Sequence, residues 1–254
     1  MDRTQAALVA EQFGPRAAAY VASEVHAQGP DLRRMAEVLR ARPGARVLDL
    51  GCGGGHVSYT AAPLATEVVA YDLSEEMLAA VARTAAERGL THVATRRGVA
   101  ERLPFEDGRF DAVLCRFTAH HWHDLEAGLR EARRVLAPDG VAVFADAVAP
   151  ARPPLDTHLH AIELLRDPSH VRDYTAAEWA AALGRSGFAV TGLTPHRLRL
   201  EFASWVERMR TPAHHREAIL SLQAGAPAEV RRHFAIAEDG SFTLDVLTLE
   251  VVPG

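Results

Sequence analysis

A glycine-rich segment that follows an apolar stretch is the first part of the sequence that could bind a ligand. The segment Val47-Leu48-Asp49-Leu50 leads into Gly51-Cys52-Gly53-Gly54-Gly55, and Asp72 follows 17 residues after Gly55. Glycines after a strand let the backbone approach a ligand closely, and an acidic residue ending the next strand can accept hydrogen bonds from both ribose hydroxyls. Gly51, Gly53 and Asp72 therefore predict an adenosine-containing ligand. The structural alternative is a turn selected for strand–helix packing, with Asp72 as a surface cap.

Residues near the glycines restrict the chemistry of that ligand. A dinucleotide-binding loop carries Gly or Ala where this chain has His56, so we expect a ligand without a pyrophosphate. The Asp49 carboxylate would repel phosphate but would suit an ammonium or a sulfonium group. All 28 basic residues are arginine, which excludes a lysine Schiff base and the lysine of a P-loop.

A second polar segment contains three histidines and follows another predicted strand. It reads Arg116-Phe117-Thr118-Ala119-His120-His121-Trp122-His123-Asp124. Ligands bind at the carboxyl ends of parallel strands, so His120 or His121 could accept a proton there and Arg116 could bind a carboxylate. Packing against the loop backbone is an equal alternative for each histidine. We expect no metal, because histidines so close in sequence rarely converge on one ion.

The elements that must position these residues alternate between strand and helix. Apolar runs predict strands over 46–50, 67–72, 93–97, 110–115 and 141–145. Ser74 and Asp124 are expected to cap helices, the second of which carries Leu125, Leu129, Ala132 and Leu136 on one stripe. This alternation predicts a parallel sheet with helices on both faces.

The remaining segments are expected to cover this core within a single domain. We predict a helical N-terminal cover over 6–40 with Tyr20 as a cofactor contact, a cofactor-binding core over 41–149, a helical lid with an edge strand over 150–240, and a last edge strand over 241–254. The two late strands should pair antiparallel. Four aromatic residues in this part favour core packing over an acceptor pocket: Trp179, Phe202, Trp205 and Phe234.

Composition limits the partners. The chain has 254 residues and a formal charge of −5, which disfavours a nucleic-acid partner. No apolar run is long enough to span a membrane, and two cysteines are too few for a secreted disulfide framework. We therefore expect a cytoplasmic protein. The sequence leaves the oligomeric state open, with a homodimer among the possibilities.

The chain resembles the class I S-adenosylmethionine-dependent methyltransferases, in particular the ubiquinone/menaquinone-biosynthesis type (methyltransferase type 11). The resemblance spans about residues 10–148. It rests on the glycine-rich segment, Tyr71-Asp72-Leu73-Ser74, Ala100-Glu101-Arg102-Leu103-Pro104-Phe105, Phe110-Asp111, and Arg134-Val135-Leu136-Ala137-Pro138-Asp139-Gly140. It implies a Rossmann-like α/β fold with a seven-stranded, mostly parallel sheet and an antiparallel last strand.

The resemblance also implies roles for individual residues. Gly51 and Gly53 would approach the methionine part of the cofactor, Asp72 would bind the ribose, and Leu73 and the Ala100 backbone would contact the adenine. Val99 also belongs to this cofactor site, in the position where many relatives carry an adenine-binding aspartate.

The implied reaction is methyl transfer from S-adenosylmethionine to a small-molecule acceptor by in-line displacement, leaving S-adenosylhomocysteine. Two alternatives remain open, namely another reaction on the same cofactor and a non-catalytic binding module. A nicotinamide oxidoreductase is disfavoured by His56.

Overall fold

A computed structural model describes residues 4–16 and 28–254. Its seven strands are β1 Ala45–Leu50, β2 Ala65–Asp72, β3 Val93–Arg97, β4 Phe110–Arg116, β5 Leu136–Ala147, β6 Phe188–Leu200 and β7 Phe242–Pro253. They form one sheet in the order β3-β2-β1-β4-β5-β7-β6. Strands β1 to β5 are parallel, and β7 is antiparallel to both of its neighbours. This confirms the predicted Rossmann-like sheet.

Ten α-helices lie in the described residues. They are α1 Gln5–Phe13, α2 Pro30–Arg40, α3 His56–Ala61, α4 Glu75–Glu87, α5 Leu125–Val135, α6 Pro153–Arg166, α7 Ala176–Arg185, α8 Phe202–Arg208, α9 Ala213–Ala224 and α10 Ala228–His233. None of the helices in this part of the chain is both long and apolar enough to cross a membrane. Tyr20 lies outside the described residues.

Capping side chains begin three of these helices, and two of them, Ser74 and Asp124, are the caps that the sequence predicts. The Ser74 hydroxyl accepts a hydrogen bond from Met77 N, and the Asp124 carboxylate accepts one from Ala127 N. Thr175 and Glu178 form a reciprocal capping box at the start of α7. Each cap satisfies backbone N–H groups that lack a partner within the helix.

Helices cover both faces of the central strands. Successive residues of a strand point to opposite faces, so each central strand contributes buried side chains to both. Leu48 and Val113 pack with α5 and α7 on one face. Val47 and Leu114 pack with α2 and α3 on the other. The carboxyl ends of β1, β2 and β4 are thereby held together at one edge.

The C-terminal part differs from the predicted lid. Helix α7 packs on the sheet through Trp179, and α6, α8, α9 and α10 form a separate apolar cluster around Leu159 and Trp205. The four aromatic residues of this part are buried in the two clusters, as expected for core packing.

Two further elements differ from the sequence expectation. The last strand β7 lies between β5 and β6, so β6 is the edge strand. Burial explains this placement, since β7 is buried along most of its length while most of β6 is exposed. Leu136, expected on the stripe of α5, instead begins β5.

Candidate functional site

A cavity of about 680 Å³ lies at the carboxyl ends of β1, β2 and β4. Its walls are the loops after these strands, the segment 98–101 after β3, and one side of α1. Ligands of open parallel sheets bind at this edge, and the volume is within the usual range of about 300–1,000 Å³ for small-molecule pockets. The cavity is the candidate ligand site.

Two glycines of the loop after β1, Gly51 and Gly53, have different structural roles. Gly51 has φ 75°, and a Cβ there would collide with the Thr118 side chain, so this position requires glycine for conformation and for close approach. Gly53 has φ 47°, and a Cβ there would meet no heavy atom within 4 Å. Gly53 therefore leaves open space at the cavity wall, where a ligand can approach the backbone.

Asp72 ends β2 and lines the same cavity. Its Oδ2 accepts a hydrogen bond from Gly53 N at 2.8 Å, and its Oδ1 accepts one from Ser74 N at 2.9 Å. Burial raises the pKa of this carboxyl, against the lowering effect of those backbone hydrogen bonds. A carboxylate has about four acceptor positions, so two remain for hydroxyls of a ligand.

The wall after β3 is fixed by the buried ring of Tyr71. The Tyr71 hydroxyl donates a hydrogen bond to Val99 O at 3.1 Å, and a Cβ on Gly98 would collide with that hydroxyl. Leu73, Val99 and Ala100, the three expected adenine contacts, all line the cavity.

Asp49 lies beneath the glycine loop and is not part of the cavity lining. Its Oδ2 accepts hydrogen bonds from Ser58 N at 2.9 Å and from Ser58 Oγ at 2.6 Å. Its Oδ1 is buried and has no hydrogen-bond partner among the described residues. Burial raises the pKa of Asp49 to about 7, although the Ser58 hydrogen bonds oppose the shift. The result is an unsatisfied acceptor next to residues that line the cavity.

Arg116 ends β4 and lines the cavity, but its guanidinium already has an acidic partner. It forms a buried ion pair with Asp31 at the start of α2, and the two side chains are 6% and 1% exposed. The next residue, Phe117, has φ 50°, a left-handed conformation that costs about 1 kcal/mol or more in a non-glycine residue. Strand β4 therefore ends in a constrained turn at the cavity.

His121 lines the cavity and is held by the segment that contains Ser169. Its Nδ1 is 3.1 Å from Ser169 O. Because a carbonyl oxygen only accepts, Nδ1 carries the proton and Nε2 has a lone pair. Nε2 lies 4.0 Å from Asp167 Oδ2. Burial, followed by the charge on His120, lowers the pKa of His121 to about 4, so the ring is neutral at pH 7.

The neighbouring His120 does not line the cavity. Its Nδ1 is 2.6 Å from Asp146 Oδ1, and Asp146 Oδ2 accepts a hydrogen bond from Ala119 N. Burial alone would lower the pKa of His120, but the Asp146 carboxylate outweighs it and raises the pKa to about 9. His120 is thus a buried cation that ties the turn to the end of β5.

Helix α1 closes the cavity from above. The Gln5 side-chain amide donates hydrogen bonds to Ser169 O and His121 O, at 2.6 and 3.3 Å. The Phe13 ring meets the His121 ring edge to face, with centroids 4.9 Å apart. Sequence reasoning put a covering helix here but selected Tyr20 as its contact residue, whereas Phe13 is the aromatic residue of the described segment that lines the cavity.

Several residues that line the cavity or contact His121 were not singled out from the sequence. Phe117, Thr118 and Trp122 line the cavity, and their position directly after β4 was the available signal. Asp167 and Ser169 reach His121 from a segment more than 40 residues later, and no spacing in the sequence indicates this. Four histidines of the segment predicted as a lid do not line the cavity, namely His158, His160, His214 and His215.

Comparison with known proteins supports the interpretation of the cavity. A methyltransferase-domain family model matches residues 48–144. The uncharacterised protein YafE of Escherichia coli strain K12 is 44% identical over 200 residues, covering 79% of this chain and 97% of YafE. The uncharacterised methyltransferase YcgJ of Bacillus subtilis strain 168 is 36% identical over 224 residues, covering 88% of each chain. The chain belongs to the S-adenosylmethionine-dependent methyltransferase family. The crystal structure of YcgJ matches this methyltransferase with a TM-score of 0.84 and 33% identity, over 88% of this chain and 97% of YcgJ.

The cavity of this methyltransferase fits S-adenosylmethionine in three independent respects. Asp72 keeps free acceptor positions, the backbone at Gly53 is open, and Asp49 Oδ1 lacks a partner that a cationic group could supply. Bound S-adenosylmethionine supplies a methyl group activated by its sulfonium. The protein must hold and orient it.

Proposed function

We propose that this methyltransferase methylates a small-molecule acceptor inside the cavity beneath α1, by in-line displacement. The observation that carries the proposal is the continuity of one cavity from Gly53 and Asp72 to His121 and Phe117. Thr4, Val9 and other residues of the α1 region line its outer side. Since the reacting groups are covered by this helix, an acceptor that fits beneath α1 is favoured over an exposed macromolecular chain. The net charge of −5 also disfavours a nucleic-acid acceptor.

One half of the cavity suits the cofactor. In this proposal Asp72 binds the ribose hydroxyls, and Leu73, Val99 and the Ala100 backbone hold the adenine. The methionine part lies along Gly51 and Gly53, and Asp49 faces its ammonium group. Arg116, oriented by Asp31, contributes a guanidinium for a carboxylate. The cavity lining and the acceptor capacity of Asp72 support these assignments except that of Asp49, which is supported by its unpartnered Oδ1 beneath the loop.

The other half suits the acceptor. His121 Nε2 accepts the proton that the acceptor loses, and Asp167 lies close enough to stabilise the imidazolium that results. The rings of Phe13 and Phe117 exclude water from this end. Because the methyl group is already activated, alignment of the acceptor contributes more than proton transfer. His120 does not line the cavity, so we assign it a positioning role through Asp146 rather than contact with the substrate.

Two free, buried cysteines agree with a cytoplasmic location. Cys52 and Cys115 form no disulfide, and burial raises the pKa of both thiols. Such thiols are inert structural residues, as is usual in a reducing compartment.

The test is the fate of a labelled methyl group. The enzyme is incubated with methyl-labelled S-adenosylmethionine and either the small-molecule filtrate or the retained macromolecules of a bacterial extract. We expect label in the filtrate and an equal amount of S-adenosylhomocysteine. Label in the macromolecular fraction, or methylthioadenosine as the cofactor product, would refute the proposal.

A matched pair of variants controls this test. Asp72→Ala should abolish the labelling. Glu75→Ala removes an exposed carboxylate three residues away, which pairs with Arg97 at the surface, and should leave it unchanged. Equal labelling by both variants would show that the product does not arise from this cavity.

A further inference from the structure

A cluster of three potential metal ligands lies outside the cavity. His160 belongs to α6, and His170 and Asp173 belong to the segment between α6 and α7. One ligand atom from each residue lies within 4.8 Å of the other two. It is the one such group among the described residues, and none of its members lines the cavity.

The spacing of the two imidazoles suits a tetrahedral ion. His160 Nδ1 is 3.3 Å from His170 Nε2. A zinc ion at about 2.0–2.1 Å from two nitrogens, at the tetrahedral angle, holds those nitrogens about 3.3 Å apart. Two nitrogens are therefore already placed as a pair of ligands.

The carboxylate provides a second, independent observation. Asp173 is 1% exposed, and its Oδ2 accepts no hydrogen bond from any described residue. This oxygen lies 4.0 Å from His170 Nε2. A buried carboxylate oxygen without a partner costs free energy that a bound cation would recover. A shift of less than 1 Å would bring it to the separation that zinc ligands have.

The surroundings also provide a partner for the ligating histidine. Asp156, one turn earlier on α6, has Oδ1 3.2 Å from His160 Nε2 and 3.6 Å from Arg172 Nη2. Arg172 Nη1 lies 3.3 Å from the same His160 nitrogen. Because a carboxylate only accepts and is the nearer partner, we assign the proton of His160 to Nε2, which donates it to Asp156 and leaves a lone pair on Nδ1 for an ion. Such carboxylate–histidine–metal arrangements are usual around bound ions.

Charge and access favour a cation at this point. The carboxylates of Asp146, Glu163 and Asp156 surround Asp173 and the two imidazoles, against the three cations His120, Arg166 and Arg172, so with Asp173 itself four acidic side chains face three basic ones. A surface depression of about 310 Å³, lined in part by Asp156, Arg172 and Glu178, lies beside His160. It gives an ion a route from solvent to His160, which is 20% exposed.

From these observations we propose that His160, His170 and Asp173 bind one divalent transition-metal ion such as Zn²⁺, with water completing the coordination. The ion joins α6 to the segment 167–175. That segment holds His121 through Ser169, so the ion stabilises the wall behind the acceptor half of the cavity. The proposal does not depend on the methylated substrate.

The test uses the untagged full chain after removal of metal with a chelator. Calorimetry with Zn²⁺ should give one site per chain. Co²⁺ should produce the visible absorption of a tetrahedral or five-coordinate ion. Zn²⁺ at 100 times its Kd should raise Tm by about 5 °C. Absence of saturable binding by either ion would overturn the proposal.

Variants identify the site. His170→Ala and the isosteric Asp173→Asn should each weaken Zn²⁺ binding at least 10-fold while retaining affinity for S-adenosylhomocysteine, which shows that they are folded. His158→Ala is the matched control, since His158 lies on the same helix but packs against Phe234, and it should bind Zn²⁺ normally. Undiminished Zn²⁺ binding by Asp173→Asn and His170→Ala would place the ion elsewhere and refute the proposal.

Discussion

His120 and His121 are adjacent in the chain but belong to two different regions. His121 lines the cavity beneath α1, where burial lowers its pKa to about 4. His120 lies behind the turn, where Asp146 outweighs burial and raises its pKa to about 9. The first region keeps unsatisfied acceptors and open backbone for a ligand, and the second ties the turn to the sheet. The comparison shows that the role of each histidine follows from the direction in which the 3₁₀ turn Ala119–His121 points its side chain.

The largest effect expected in the cavity region is that of Asp72→Ala. Loss of charge-assisted hydrogen bonds to two ribose hydroxyls, each contributing about 1.5–3 kcal/mol, should weaken S-adenosylhomocysteine binding about 1,000-fold. Calorimetry measures this change, with Glu75→Ala as the control. An affinity within a factor of three of the parent protein would remove Asp72 from the cofactor site.

His121→Gln separates turnover from binding. The variant lacks the lone pair that accepts the proton, so kcat should fall about 100- to 1,000-fold. The Kd of S-adenosylhomocysteine should stay within twofold, because the proposal assigns His121 to the acceptor and not to the cofactor. Steady-state kinetics and calorimetry on the same preparation check both values. A parallel loss of kcat and affinity would indicate a structural role instead.

His120→Gln tests the other side of the comparison. Removal of this cation leaves the Asp146 carboxylate buried without its ionic partner, which should lower the free energy of unfolding by about 3 kcal/mol. Urea denaturation followed by circular dichroism measures the loss. His121→Gln is the matched control and should cost clearly less. If the two variants were equally stable, the contrast between the two histidines would not hold.

Asp49→Asn sharpens the comparison, because this variant should gain stability above pH 7 and lose affinity for S-adenosylmethionine. The folded pKa of Asp49, about 7, exceeds its unfolded value, so the folded state binds the proton more tightly. The free energy of unfolding of the parent, relative to that of the variant, should therefore fall as pH rises from about 4 to 7. Above pH 7 this difference should stay constant at its low value. At pH 8 the variant should be more stable by about 1–2 kcal/mol.

The same Asp49→Asn variant should bind S-adenosylmethionine about 10-fold more weakly, since it lacks a charge facing the ammonium group. Urea unfolding at several pH values and calorimetry provide the two measurements. A variant that is less stable than the parent at pH 8 would contradict the account of Asp49 as a strained, buried carboxylate.

The parallel part of the fold was predictable from local signals. Capping residues Ser74 and Asp124 fix the starts of α4 and α5, and alternating apolar runs place β1 to β5. The C-terminal part was less predictable, because β6 and β7 have similar lengths and apolar content. Which of them occupies the sheet edge depends on pairing with β5, which is a long-range contact.

The glycine loop and Asp72 are the part of the candidate site that local sequence could indicate. The glycine loop and Asp72 combine within one β-α-β unit, so their spacing alone indicated an adenosyl ligand. The partners of His121 and Arg116 come from distant segments, namely 167–169 and Asp31. No periodicity links those segments in the sequence.

The amino-acid sequence by itself determined the parallel core, the glycine loop and the adenosyl chemistry, because these depend on neighbours within a few turns or one strand. Only the tertiary structure decided which histidine reaches the cavity, which strand forms the edge, and which carboxylates remain without a partner. The reason is that these properties depend on desolvation and on contacts between segments far apart in the chain, which no local pattern encodes.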